Sequence, residues 1–192
     1  MAIMVLPLLM LASACDQTTM PTGTEDARLS ENSFAIAPFN LQHSKVNGSV
    51  AAQLAEVRRH TAQFQRVENA VEAGYVNVNV GTCVEHPELG GMGYHFVNFP
   101  LVGAQEDLDI TRPQAILYEP QKNGRYRLIG VEYITELGKP DIDAPTLFGE
   151  KFHWNPMQGF WALHVWIWKN NPSGMFADWN PNVSCDYDSL AE

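Results

Sequence analysis

Residues 115–135 read AILYEPQKNGRYRLIGVEYIT. Two apolar runs, 115–119 and 126–135, carry the β-branched and aromatic side chains that fit a pleated, half-buried surface. Asn123-Gly124 between them is turn chemistry, so the stretch predicts an antiparallel hairpin. Working outward, similar alternation or short apolar runs at 75–80, 92–98 and 162–168 predict further strands. Prolines 87, 100, 113, 120, 140, 145, 156, 172 and 181 all fall outside the five runs, where they cost no ladder hydrogen bond.

Upstream of the strands the period changes. Val50, Leu54, Val57, Thr61, Phe64, Val67 and Val71 recur at steps of three and four, between Ser49 as N-cap and Gly74 as the residue after the helix. One helix over this stretch would pack through that face, with Arg58, Arg59, His60 and Arg66 largely turned to solvent. The expected fold class is therefore α+β, a curved antiparallel sheet or partly closed barrel packed against one long helix.

A chain of 192 residues that is 45% hydrophobic and 18% charged buries a real core, which excludes a mainly disordered protein. Its formal charge of −10 repels phosphate backbones, so no nucleic-acid partner is expected.

Residues 3–11 are uniformly apolar and lead into Ala12-Ser13-Ala14-Cys15. Nine residues reach only ~14 Å as a helix against a hydrocarbon core of ~30 Å, so this run fits a signal peptide and not a membrane span. Ala12 and Ala14 suit ordinary cleavage. Cys15 after small residues resembles a bacterial lipobox, although Leu11 lies one place further from it than usual and no Lys or Arg precedes the run. The lipobox is the preferred reading. It makes 1–14 a signal peptide, Cys15 the lipidated residue, 15–33 an anchored flexible tether and 34–192 a single domain. The address is then the bacterial cell envelope, with the membrane contacted through a lipid anchor. Cys83 and Cys185 would be left as an even pair in an oxidising compartment, where a disulfide is expected and two separate buried thiols are the alternative.

No nucleophile elbow, phosphate-binding loop, H-E-x-x-H or C-x-x-C occurs. Gly90-Gly91-Met92-Gly93 lacks dinucleotide-binding spacing and reads as a tight entry into a strand. The informative residues are polar ones that interrupt strands: His95 between Tyr94 and Phe96, Glu132 between Val131 and Tyr133, His164 between Leu163 and Val165. Each shares its strand face with a small residue two places away, Gly93, Gly130 or Ala162. A buried carboxylate needs partners, and two imidazoles supply them either directly or through a metal. Two His and one carboxylate are a common ligand set for iron, zinc or manganese. A His–Glu ion pair, or separate hydrogen bonds, would satisfy the same burial. His86 and His153 are possible substitutes as ligands, and the Asp-x-Asp pairs at 107 and 109 and at 141 and 143 read as solvated loop carboxylates. Trp154-Asn155-Pro156 and Trp179-Asn180-Pro181 read as turns.

Several stretches together, 73–75 (AGY), 90–95 (GGMGYH), 130–133 (GVEY), 163–166 (LHVW), 171–174 (NPSG) and 179–181 (WNP), make the chain resemble a family of exported bacterial proteins of uncharacterised activity. The likeness spans roughly 57–185 and implies no particular chemistry.

Two functions stay open. One is a small-molecule or envelope-partner binding module with a pocket lined by some of Tyr94, Trp161, Trp166, Trp168 and Trp179. The other is a metal-binding protein or metal-dependent enzyme, holding one divalent transition metal at His95, Glu132 and His164.

Overall fold

Ser49 opens the first helix, its hydroxyl accepting the backbone N–H of Ala52 at 3.3 Å. In this computed structural model, which describes residues 48–78 and 82–188, that helix is α1, Val50–Thr61. The expected single helix is interrupted. A 3₁₀ turn, Ala62–Gln65, follows α1, Arg66 is extended at φ −100° and ψ 119°, and α2 resumes at Val67–Glu72. The break has a visible cause, since two carbonyls that would continue the helical ladder are taken by side chains. The Tyr118 hydroxyl donates to the Phe64 carbonyl at 2.7 Å, and the Asn69 amide donates to the Gln63 carbonyl at 2.7 Å. The extended residue also resets the phase of the buried face. Val57, Thr61, Phe64 and Ala70 are buried, while Val71 is 54% exposed. Arg58 is not simply solvated, because its guanidinium donates to the Ile167 carbonyl at 3.0 and 3.3 Å. The stretch ends at Gly74 as expected: Tyr75 N–H bonds the Ala70 carbonyl and Gly74 N–H the Val71 carbonyl, both at 3.0 Å.

The strands follow in chain order. They are β1 (Val76–Asn77), β2 (Val84–His86), β3 (Gly90–Val97), β4 (Ala115–Pro120), β5 (Tyr126–Thr135), β6 (Thr146–Leu147), β7 (Glu150–Lys151), β8 (His153–Asn155) and β9 (Phe160–Val165). Seven form one sheet in the order β1-β3-β4-β5-β9-β8, with β2 also on β3, and every pairing is antiparallel. β6 and β7 make a separate two-stranded ribbon. The fold class is therefore α+β with a mainly antiparallel sheet and few helices. The expected β4–β5 hairpin is present, its turn closed by the Gly124 N–H on the Gln121 carbonyl at 2.9 Å. One residue of β5, Ile129, is bulged out between the pairs Leu117↔Gly130 and Tyr118↔Leu128. The last predicted strand begins earlier and stops at Val165; from Trp166 the chain leaves the sheet, and Trp166 N–H bonds the Met175 carbonyl at 3.0 Å.

Alternation gives the sheet two unlike faces. Tyr94, Phe96, Ile116, Tyr118, Tyr133 and Leu163 join Val57, Phe64 and Ala70 of the helical stretch in the main core. The opposite face carries two smaller clusters, Leu117–Ile129–Trp166–Val183 and Val97–Ala115–Ile134. The candidate site belongs to this second face. Beyond the sheet, residues 180–183 lie along the start of β3, where Gly91 N–H is shared between the carbonyls of Asn180 and Val183, each at 3.1 Å. Cys83 and Cys185, at a sequence separation of 102, are joined by a disulfide, as the cysteine count led one to expect. Among the described residues no helix is long and apolar enough to cross a membrane. The leader, Cys15 and the tether to residue 33 lie outside the described residues.

Candidate metal centre

The pairing register brings the three predicted residues together. Glu132 lies directly opposite His164 on β9 and, on its other side, opposite Ala115 on β4. Ala115 in turn faces Val97, two residues from His95 on β3. His95 and Glu132 thus sit on strands separated by one and are offset by two residues, with Leu117 of the intervening strand opposite His95 and Ala115 opposite Glu132. Cβ atoms on alternate strands are roughly 10 Å apart. The long side chains close that distance diagonally, across the strand that carries Leu117 and Ala115.

The result is a buried group in which one ligand atom from each of His95, Glu132 and His164 lies within 4.8 Å of the others. His95 Nε2 is 3.7 Å from Glu132 Oε2, and His164 Nε2 is 3.7 Å from Glu132 Oε1. These separations are too long for hydrogen bonds. Neither ring nitrogen of His164 has a hydrogen-bond partner among the described residues, although the residue is only 3% exposed. Such an orphaned buried group is rare and costs about 1–3 kcal/mol unless something else satisfies it. Donor atoms on one ion at ~2.1 Å lie at most ~4.2 Å apart, so loading would draw the three inward slightly.

Neighbours hold the ligands in place. His164 stacks on Trp166, ring centroids 5.9 Å apart and planes 11° off parallel, and the Trp166 indole is itself fixed by the Ala177 carbonyl at 2.6 Å. On the side of His164 away from Glu132, Asp178 Oδ1 is 3.7 Å from His164 Nδ1 and 2.8 Å from His153 Nδ1. A carboxylate behind a ligating imidazole is the arrangement that sets its tautomer and raises its basicity. Burial drives the His95 pKa down, against the opposing pull of Glu132, and so favours the neutral ring a metal needs. Burial also works against charge on His164, but Glu132 and then Asp178 outweigh it, and the His164 pKa stands above the ordinary imidazole value. For Asp178, burial is outweighed by the nearby His164 imidazole at 3.7 Å and by its bond to His153, which hold its carboxyl below the usual range.

The group forms part of the wall of a cavity of about 450 Å³. Among the five aromatics predicted to line a pocket, Trp179 does so and the other four do not. Tyr94 is 1% exposed in the main core, its hydroxyl bonded to Asp188. Trp161 lies on the opposite sheet face from Ala162 and His164, and its indole donates to the Lys139 carbonyl at 2.9 Å. Trp168 donates to Thr61 Oγ1 at 3.1 Å, and Trp166 backs His164. In their place Trp154 and Phe160 line the cavity. Both Trp-Asn-Pro segments are turns, as read: Asn155 Oδ1 accepts from the Met157 and Gln158 amides and Asn180 Oδ1 from the Asn182 amide. The second turn also places Trp179 at the cavity, while the Trp154 ring packs against Trp161, its pair on β9, with ring centroids 5.6 Å apart. Of the substitute ligands, His86 accepts the Glu88 and Leu89 amides at Nδ1, and His153 binds Asp178 at the rim.

No protein-family model, curated protein or solved structure matches this chain.

Proposed function

We propose that this chain is an exported bacterial envelope protein that binds a small molecule over one divalent transition-metal ion held by His95, Glu132 and His164. The observation that carries the metal is His164: a buried imidazole with neither nitrogen hydrogen-bonded among the described residues, one facing a carboxylate shared with a second buried His and the other facing Asp178. Two His and one carboxylate suit iron, zinc or manganese and leave coordination positions for a ligand. The cavity supplies the space in which that ligand would sit. The expected curvature, or partial closure, of the sheet belongs to this reading, because curling toward the site favours contact between residues on β3 and β5.

Metal analysis of the gently purified protein tests it. About one equivalent of a divalent ion per chain is expected, and Glu132→Gln should cut it at least tenfold while circular dichroism stays unchanged, since the amide keeps the shape and loses the charge. The raised His164 pKa supports a metal-free ion pair as the second reading. On that reading no preparation holds metal after incubation with iron(II), zinc or manganese, and Glu132→Gln lowers the melting temperature instead.

The envelope address is supported by the apolar run before Cys15, by the family resemblance, and by a disulfide of the kind that persists in oxidising compartments. Replacing Cys15 with Ala should move the chain from the membrane fraction to the soluble fraction. A native protein without lipid mass, or a variant that stays on membranes, overturns the anchor. An envelope protein partner would then meet a tethered domain.

A further inference from the structure

The cavity above the candidate metal group has a chemical character of its own. Its volume of about 450 Å³ is in the range that encloses a small organic molecule. The wall is built largely from Val97, Ile134, Trp154, Phe160 and Trp179. Among the described residues no Lys or Arg lines it, while Glu132 and Asp178 do. A divalent ion on the floor would be offset by the two carboxylates of Glu132 and Asp178, so an anionic ligand would give up its water for no net positive charge, in a chain of net charge −10.

A cationic ligand is no better served. Asp178 is already bonded to His153, and a divalent ion would engage Glu132, which leaves no free carboxylate for a second cation. Sugars and other polyols need many hydrogen-bonding groups, and the wall offers few. The Asn155 oxygen is committed to two turn amides, and Gln158 is an exposed residue. Phe99 and Leu137, 61% and 56% exposed, also line the cavity. Scattered exposed apolar residues need no explanation, but here two of them belong to the wall of one cavity.

We infer that the cavity binds an uncharged, ring-bearing and mainly apolar molecule whose single oxygen donor is directed at the His95–Glu132–His164 group. This rests on the proposed metal site for the floor of the cavity and on the wall residues alone for the class of ligand. Aromatic side chains at 99, 160 and 179 favour a ring over an aliphatic chain, through stacked or edge contacts.

The probes are 2-naphthol and 2-naphthoate, which share a ring system and differ in charge, titrated calorimetrically into the full chain at pH 7. Metal content is measured on the same batches. Naphthol is expected to bind at least tenfold more tightly than naphthoate. Ala162→Phe, which puts a ring into the cavity from β9, should weaken naphthol at least tenfold. Leu137→Asp, at an exposed position that the fold does not need, should weaken it at least threefold. Equal or tighter binding of naphthoate overturns the inference, as does absence of naphthol binding or an unchanged affinity in both variants. If metal is bound and naphthol is not, the ligand class fails alone. If naphthol is preferred in a protein that never takes up metal, the ligand class holds and the metal reading falls.

Discussion

Reducing the Cys83–Cys185 bond, or replacing both residues with Ser, is expected to lower the melting temperature by on the order of 10 °C. The bond closes a loop of 102 residues. In the chain-entropy model such a cross-link stabilises by up to about 4.7 kcal/mol, by removing freedom from the unfolded chain, and measured values are often smaller. The native contacts around it give the bond a second effect. Cys83 N–H donates to Asp188 Oδ1 at 2.9 Å and Cys185 N–H to Glu85 Oε2 at 3.1 Å, so each cysteine also anchors its segment to the other. The C-terminal segment fixed in this way continues directly from Asp178 and Trp179. Loss of the disulfide should therefore weaken metal retention as well as stability. A melting temperature unchanged by reductant, with both thiols shown to be free, would contradict the expectation.

Gly93→Ala should destabilise by on the order of 3 kcal/mol. Gly93 has φ +81°, in the region that L side chains avoid at a cost of about 1–2 kcal/mol. An added Cβ would also stand 2.3 Å from the Tyr118 carbonyl oxygen. That oxygen is backbone on a central strand, and Tyr118 is pinned by its pairing with Tyr94 and by its hydroxyl bond to Phe64. The useful control is Gly159→Ala, with φ +72° but nothing within 4 Å of the new methyl. It should show the dihedral cost alone. Equal losses in urea denaturation at the two positions would refute the steric account. Because His95 lies two residues beyond Gly93 on β3, the Gly93 variant should also lose metal where the Gly159 variant does not.

How much of this was legible beforehand depended on whether the information was local. Alternation and Asn123-Gly124 define β4 and β5 almost to the residue, because a hairpin is specified by its own turn. His95, Glu132 and His164 stood out for a local reason too, each being polar between apolar neighbours. That they converge depends on register across three strands. Sequence does not print register, and nothing local says that Glu132 will pair with His164 while His95 reaches it from two strands away. Asp178 and His153 were invisible as a pair because they come from a long loop and a three-residue strand. The helix break at Arg66 was missed for a similar reason. Its cause, the Tyr118 hydroxyl, arrives from a position 54 residues away. The pocket aromatics were misjudged on information that was present: Trp161 and Ala162 are adjacent in a strand and must face opposite sides.

The bulge at Ile129 has a practical side. It separates the hairpin tip from the part of β4 and β5 where Ala115, Gly130 and Glu132 are in register. Lys122 and Asn123 at that tip are exposed, and the turn is held by its own short-range bonds. A peptide epitope, a dye-bearing cysteine or a small fused domain grafted between 122 and 123 would have its distortion absorbed before it reached the ligands. The same few residues thus offer a handle for immobilising or imaging the protein with its site intact.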